Sequence, residues 1–298
     1  MESIQSKMLR RVLPLLGTKS FFDVPEKVAS NLSKVRKKGP SLPSKRFRRK
    51  FNVSELSSRS NRVFEIKPKT REQETEKCVL YFHGGGYVLD LDAVHWNFIG
   101  RLIDSTGYSV IVPIYPLAPE TQCADLIPEM SSLFMDVVEY YGYKNITLMG
   151  DSAGGGLCLS VAHALRDNNL PAPDRLVLLS PWLDVVSNHP LQPNLEKKDP
   201  IVSLSALKGF GELYAGDLPL TDPRVSPLFG EHKNLPPIQL FIGTDDPLLP
   251  DATRFRDRMN ELKTPISYHE YESMFHVWML VPIPEGKKVM SEISKFLS

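Results

Sequence analysis

The string Gly150-Asp-Ser-Ala-Gly154 sets a serine between two glycines, directly after the apolar run Ile146-Thr-Leu-Met149 and directly before residues that read as a helix. A serine on so sharp a strand-to-helix turn has its hydroxyl lifted to where a substrate can reach it, and the glycines let the backbone pass close to its neighbours. The following helix aims its N-terminal amides at the same point, where an anion would develop. A plain turn produces the same five letters, so it is the placement after a buried strand that points to nucleophilic acyl chemistry at Ser152. A second signal, His83-Gly-Gly-Gly-Tyr87, follows the apolar run Cys78 to Phe82. Three consecutive glycines are costly in entropy unless the backbone itself is used. The bare amides of Gly84, Gly85 or Gly86, with that of Ala153, would hold the oxyanion of a tetrahedral intermediate, at about 3 kcal/mol per donor. A phosphate cradle is disfavoured, because no Gly-Lys-Ser/Thr follows and neither glycine cluster fits G-x-G-x-x-G. His83 beside the glycines reads as a residue that holds their loop.

A serine nucleophile needs a base and a group to orient that base, and in this kind of sheet the chain order is serine, acid, histidine. The run Ile238 to Ile242 is followed by Gly243-Thr-Asp-Asp-Pro-Leu-Leu-Pro-Asp251, which offers Asp245, Asp246 and Asp251. Several acids in one loop are usually solvated turn residues, and the choice of Asp246 among the three rests on its placement in the motif of the resemblance given below. The alternating run Ile266 to Tyr271 ends in Glu272-Ser-Met-Phe-His276, so His276 lies just past the last predicted strand. His269 sits inside that strand, and His95, His163, His189 and His232 read as surface or packing residues. No pair of histidines has metal-ligand spacing. Tyr87, Trp182, Met274 and Trp278 are expected to line a substrate pocket, although such residues near strand ends are more often core.

The elements that must position these residues alternate along the chain. Strands are predicted at Phe51 to Leu56, Arg62 to Lys67, Cys78 to Phe82, Tyr108 to Ile114, Asn145 to Met149, Arg175 to Leu179, Ile238 to Ile242 and Ile266 to Tyr271, with a helix from about Ala153 to Asn168. Alternation of this kind predicts an α/β fold with a mainly parallel sheet, helices on both faces and an antiparallel pair at the start. The four candidate pieces then all fall at carboxyl ends of strands, where open α/β sheets bind ligands. Residues 1–50, broken by four prolines, read as a covering segment, and residues 51–298 as the core. Residues 185–223, with a possible helix at Ser203 to Tyr214, read as an insertion above the sheet.

With 298 residues, 42% hydrophobic and 24% charged, this is the composition of an ordinary globular chain. Residues 1–50 hold 14 Lys and Arg against 3 acids, which leaves a net −10 on the rest of the chain. A weak membrane-surface contact through this basic segment is one reading and a solvated face the other; no nucleic-acid partner is expected. The short apolar run in the first 17 residues is broken by Pro14 and suits neither a membrane span nor a secretory signal. With three scattered cysteines it points to a cytoplasmic setting. The sequons at Asn31, Asn52 and Asn145 are then chance.

The chain resembles the hormone-sensitive-lipase-like family of α/β-hydrolase esterases from residue 78 to 280. The match rests on His83-Gly-Gly-Gly-Tyr, Tyr115-Pro-Leu-Ala-Pro-Glu120, Gly150-Asp-Ser-Ala-Gly-Gly155, Ser180-Pro-Trp-Leu-Asp184, Asp246-Pro-Leu and Tyr271-Glu-Ser-Met-Phe-His276, in the family's order. The resemblance implies an α/β-hydrolase fold with an eight-stranded sheet and one antiparallel strand. It also implies a cap made from the N-terminal segment and the insertion, a Ser152-His276-Asp246 triad, and activity on short acyl esters. Pro116 stands where the family commonly has arginine and Ser273 where it commonly has glycine, and the acidic loop lacks an arginine. The expected protein is therefore a serine carboxylesterase that needs no metal or organic cofactor and takes a small-molecule ester, as a monomer or homodimer. An amidase or peptidase with the same triad, and a non-catalytic binding protein on the same scaffold, are the alternatives.

Overall fold

The computed structural model describes residues 2–16, 19, 28–58, 61–70 and 76–298. Its strands are β1 (Asn52–Ser58), β2 (Asn61–Lys67), β3 (Cys78–Phe82), β4 (Ser109–Ile114), β5 (Ile146–Asp151), β6 (Arg175–Leu179), β7 (Ile238–Gly243) and β8 (Ile266–Tyr271). They form one sheet in the order β1-β2-β4-β3-β5-β6-β7-β8. Only β2 runs against its neighbours, pairing antiparallel with both β1 and β4, while β4 through β8 are parallel. The sheet is the eight-stranded, mostly parallel sheet of the α/β-hydrolase fold, and the fold class read from the residues holds.

The helices are α1 (Ile4–Val12), α2 (Val28–Arg36), α3 (Lys45–Lys50), α4 (Ala93–Thr106), α5 (Cys123–Tyr141), α6 (Ala153–Asp167), α7 (Gln192–Glu196), α8 (Leu204–Ala215), α9 (Leu249–Glu261) and α10 (Pro284–Leu297). The central strands β3, β5 and β7 are buried along their whole length, so alternate side chains feed two cores. On one face Leu80 and Phe82 meet α5, α6 and α9 through Met130, Leu157 and Phe255. On the other, Val79 and Tyr81 meet α4 and α10 through Phe98, Ile99 and Ile293. Edge strand β8 is only half-buried, which is why its sequence alternates while those of the central strands do not.

Helix ends are set by local chemistry. Asp92 caps α4 by accepting from the Val94 amide at 2.8 Å, with His95 Nδ1 2.9 Å from the same carboxylate oxygen. Gly107, left-handed at φ 72°, ends that helix. The basic run forms α3, in which Phe47 packs on Phe51 and Trp96 while the Lys and Arg side chains face solvent. In α1, Ile4, Met8 and Val12 are exposed on one side beside Lys7 and Arg11, and the opposite side carries buried Ser6. No helix among the described residues is long and apolar enough to cross a membrane.

Candidate active site

β5 delivers the nucleophile candidate. Its last residue, Asp151, leads straight into Ser152, held at φ 50°, ψ −120° as the cap of α6. A non-glycine residue there costs about 1–3 kcal/mol, which the surroundings must impose. They do so through backbone bonds: the Ser152 amide donates to Leu179 O at 2.9 Å, and Ser152 O accepts from the amides of Trp182 (2.9 Å) and Gly156 (3.1 Å). The motif's second glycine has a steric reason, because a Cβ on Gly154 would lie 2.0 Å from Phe82 O on neighbouring strand β3.

The acid and histidine loops leave β7 and β8 side by side and are stitched together. The Asp245 amide donates to Met274 O at 3.0 Å, and the Ser273 amide donates to Thr244 Oγ1 at 2.7 Å. Ser273 has φ 58°, the left-handed conformation that explains why glycine suits this position. Ser152 Oγ lies 2.9 Å from His276 Nε2, and His276 Nδ1 lies 2.9 Å from Asp246 Oδ2. Asp246 Oδ1 accepts from the Leu248 amide at 2.9 Å, which fixes the carboxylate plane. All three side chains are buried.

The rival acids go elsewhere. Asp245 pairs with Arg10 at 2.8 Å and Lys198 at 3.4 Å, and Asp251 pairs with Arg254 and accepts from Gln192 Nε2, both at 3.0 Å. Burial pushes the Asp251 carboxyl up to about 7, reinforced by nearby Asp184. His269 stays on β8 against Ser267 and Glu292, and His163 and His232 stack on each other in the core.

The glycine loop follows β3. Gly85 has φ 115°, and a Cβ there would come 2.5 Å from Leu89 O. The Gly84 amide does not face the serine: it donates to Asp151 Oδ1 at 3.0 Å. Among the described residues, no acceptor takes the amides of Gly85, Gly86 or Ala153, which leaves these three as donors available to a bound group. His83 keeps the structural part read for it. Its Nδ1 lies 2.6 Å from Gly84 O, its ring stacks on Tyr115 at 4.1 Å, and burial pulls its pKa down to about 4.

Asp151 and His95 were not recognised in the sequence as a pair. Asp151 accepts from Tyr81 OH at 2.5 Å and sits 3.5 Å from His95 Nε2, while His95 Nδ1 lies 2.9 Å from Asp92. Burial pulls the His95 imidazolium down, but the two carboxylates outweigh it and lift its pKa to about 10. Burial likewise raises the Asp151 carboxyl, yet His95 and Tyr81 hold it below its ordinary value. His95 is thus a buried cation that supports the glycine loop through Asp151, rather than a plain packing residue. The available signal was an acid at the end of a fully buried strand, which must be paired.

A cavity of about 750 Å³ opens over Ser152 and His276. Its apolar wall comes from Leu9, Leu13, Leu89, Val202, Leu207 and Phe210. The pocket expectation for Tyr87, Trp182, Met274 and Trp278 is corrected here: all four are fully buried and none lines the cavity. Tyr87 has φ 65°, which turns its ring down to stack on Tyr214 at 3.6 Å, and Trp182 packs beside it. Met274 and Trp278 lie in the core between the sheet, α4 and α10.

Burial pulls the His276 imidazolium down, but Asp246, by charge and hydrogen bond, overcomes this with help from Asp199 and Asp151, so the pKa lies above its ordinary value. Asp199, from the insertion, was missed in the sequence. Its Oδ2 accepts from the His276 amide at 2.6 Å. Burial and neighbouring Asp246 raise this carboxyl to about 6.

An alpha/beta hydrolase fold family matches residues 79–280. The chain is 32% identical over 213 residues to a triacylglycerol lipase of Mycobacterium tuberculosis, covering 71% of this chain but only 44% of that lipase. It is 30% identical over 229 residues to an esterase of Acinetobacter venetianus, covering 74% of each. Among solved structures, an esterase from the bacterial hormone-sensitive lipase family superposes with a TM-score of 0.83 at 25% identity, over 100% of this chain and 98% of that one. With the sheet order and the strand-end loops described above, these likenesses show that the chain belongs to the α/β-hydrolase family, among its hormone-sensitive-lipase-like esterases and lipases.

Proposed function

We propose that the protein is a serine carboxylesterase acting on short acyl esters, with Ser152 as nucleophile, His276 as base and Asp246 orienting the histidine. One observation carries the reading: an unbroken line of contacts from Ser152 Oγ through both imidazole nitrogens to Asp246, at 2.9 Å each, under an apolar cavity. Ser152 Oγ attacks the ester carbonyl carbon while its proton passes to His276 Nε2, and the carbonyl π electrons become an oxyanion. The amides of Gly85, Gly86 and Ala153 receive that oxyanion. Its collapse breaks the bond to the alcohol oxygen, which His276 protonates on departure. Water then repeats the sequence on the acyl-enzyme to release the acid.

Two measurements test this. Because His276 must be neutral to accept a proton and its pKa is raised, kcat/KM is expected to climb with pH through an apparent pKa above about 6.5. A profile flat from roughly pH 5 to 9 would contradict a histidine base. Nitrophenyl esters from acetate to palmitate are expected to give the highest kcat/KM at the short end, falling by about tenfold or more toward palmitate as the chain outgrows the cavity. A rate that rises to palmitate would remove the short-chain assignment while leaving the triad.

Residues 1–50 and 185–223 form the cap in this reading, supported by the cavity wall, to which both contribute. The exposed Ile4, Met8 and Val12 beside Lys7 and Arg11 support the reading of a weak membrane-surface contact through the basic N-terminal segment. Three buried free thiols, Cys78, Cys123 and Cys158, support a reducing, cytoplasmic setting.

A further inference from the structure

We propose that Asp199 is a second positioning carboxylate for the reaction: it tethers the backbone of the histidine loop, while Asp246 holds the side chain of the same residue. This rests on the function proposed above for Ser152, His276 and Asp246.

Asp199 is buried at 3% exposure, yet among the described residues its side chain pairs with no Lys or Arg. Instead, Oδ1 accepts from the amides of Ile201 and Val202, both at 2.7 Å, and Oδ2 accepts from the amide of His276 at 2.6 Å. Three main-chain donors on one carboxylate are a costly arrangement to bury unless its position matters. Two of them shape its own turn. The third reaches 77 residues along the chain to the residue that carries the imidazole. The backbone of His276 is thus fixed by one acid and its side chain by another.

The segment that carries Asp199 is itself strapped down. Lys19 Nζ donates to Asp199 O at 2.8 Å and to Glu196 O at 2.5 Å. Arg10 donates to Lys198 O at 3.2 Å, to Asp245 Oδ2 at 2.8 Å and to Ser273 O. Glu196 Oε1 accepts from the Leu204 amide at 2.8 Å. The charges that face Asp199 and His276 are therefore Asp246 and Asp151 from the core, and Lys19, Arg10, Lys198, Asp245 and Glu196 around the insertion. The cations sit on backbone carbonyls or on Asp245, and the Asp199 carboxylate adds to the negative charge that raises the His276 pKa.

The test is Asp199→Asn, which keeps the volume and the acceptor for Ile201 and Val202 but turns a donor toward the His276 amide and removes the charge. Its kcat is expected to fall about tenfold with KM within about twofold, and the acid limb of kcat/KM to move to lower pH by about half a unit or more. A folded Asp199→Asn enzyme with unchanged kcat, or with lowered kcat and an unmoved acid limb, overturns the proposal. Should this variant fail to fold, Asp199→Glu keeps the charge and shifts the carboxylate by one methylene. Lowered kcat with the acid limb in its wild-type place then supports the proposal, and wild-type kcat overturns it. Wild-type turnover in Ser152→Ala defeats the Ser152-His276-Asp246 reading itself. An unaltered Asp199→Asn profile in an enzyme that still labels at Ser152 defeats only this inference.

Discussion

Ser152→Ala is expected to lower kcat by roughly 10⁵- to 10⁶-fold while leaving the fold and the cavity in place. The size follows from what the hydroxyl does in the proposed mechanism: it would be the atom that bonds to the acyl carbon, and neither the backbone amides nor the imidazole can substitute for it. Stability should change by no more than about 1 kcal/mol. Alanine keeps a Cβ, so it meets the strained φ of 50° on the same terms as serine, and the hydrogen bond it removes among the described residues is the 2.9 Å one to His276 Nε2. An organophosphonate ester, which bonds covalently to an activated serine, should add its mass to the wild type and not to the variant. Labelling that persists in Ser152→Ala would place the nucleophile elsewhere.

Asp246→Asn should cost about 10⁴-fold in kcat with little change in KM, and the reason is a tautomer. Oδ1 of Asp246 is already committed to the Leu248 amide, so an asparagine keeps its carbonyl oxygen there. Its NH₂ then faces His276 Nδ1 across the 2.9 Å now spanned by a carboxylate. The imidazole answers by carrying its proton on Nε2, and a protonated Nε2 cannot accept from Ser152. The variant also loses the charge that, with Asp199, raises the His276 pKa. The acid limb of the residual activity should therefore shift to lower pH. Melting temperature and KM separate this from collapse of the site, since a buried neutral amide that keeps its hydrogen bond leaves the loop intact. A loss of less than about tenfold would show that Asp246 does not set the tautomer.

Much of the site is legible in the residues because its parts are written locally. Gly154 must be glycine since Phe82 O is 2.0 Å from where its Cβ would be, and Gly85 because its φ is 115°; both needs leave a mark in the string itself. The strands are legible for a similar reason. Central ones, buried on both faces, are mostly apolar without alternation, and β8, at the edge, alternates. Choosing Asp246 from three acids in one loop rested on its place in a family motif, and geometry supplies a reason: Asp245 is taken by Arg10 and Asp251 by Arg254 and Gln192.

The aromatic pocket guess failed for a physical reason that sequence does not carry. Tyr87 and Trp182 follow strand ends as the motifs do, but a left-handed backbone at Tyr87 sends its ring into the core, and the cavity is walled instead by Leu9, Leu13, Val202, Leu207 and Phe210 from distant segments. Asp199, in a loop, and the part His95 plays at the start of α4 were not legible because a lone acid or histidine looks solvated until the fold buries it.

By itself the sequence determined the α/β alternation, the sharp turn at Ser152, the triple-glycine bend and the order of the strand-end loops, since each depends on backbone sterics or burial periodicity over a few neighbouring residues. Only the tertiary structure decided which amides remain free for an oxyanion, which aliphatic side chains enclose the substrate space, and that a carboxylate 77 residues away grips the backbone of His276. Those depend on how separate elements pack, and no short-range pattern records a contact made across the fold.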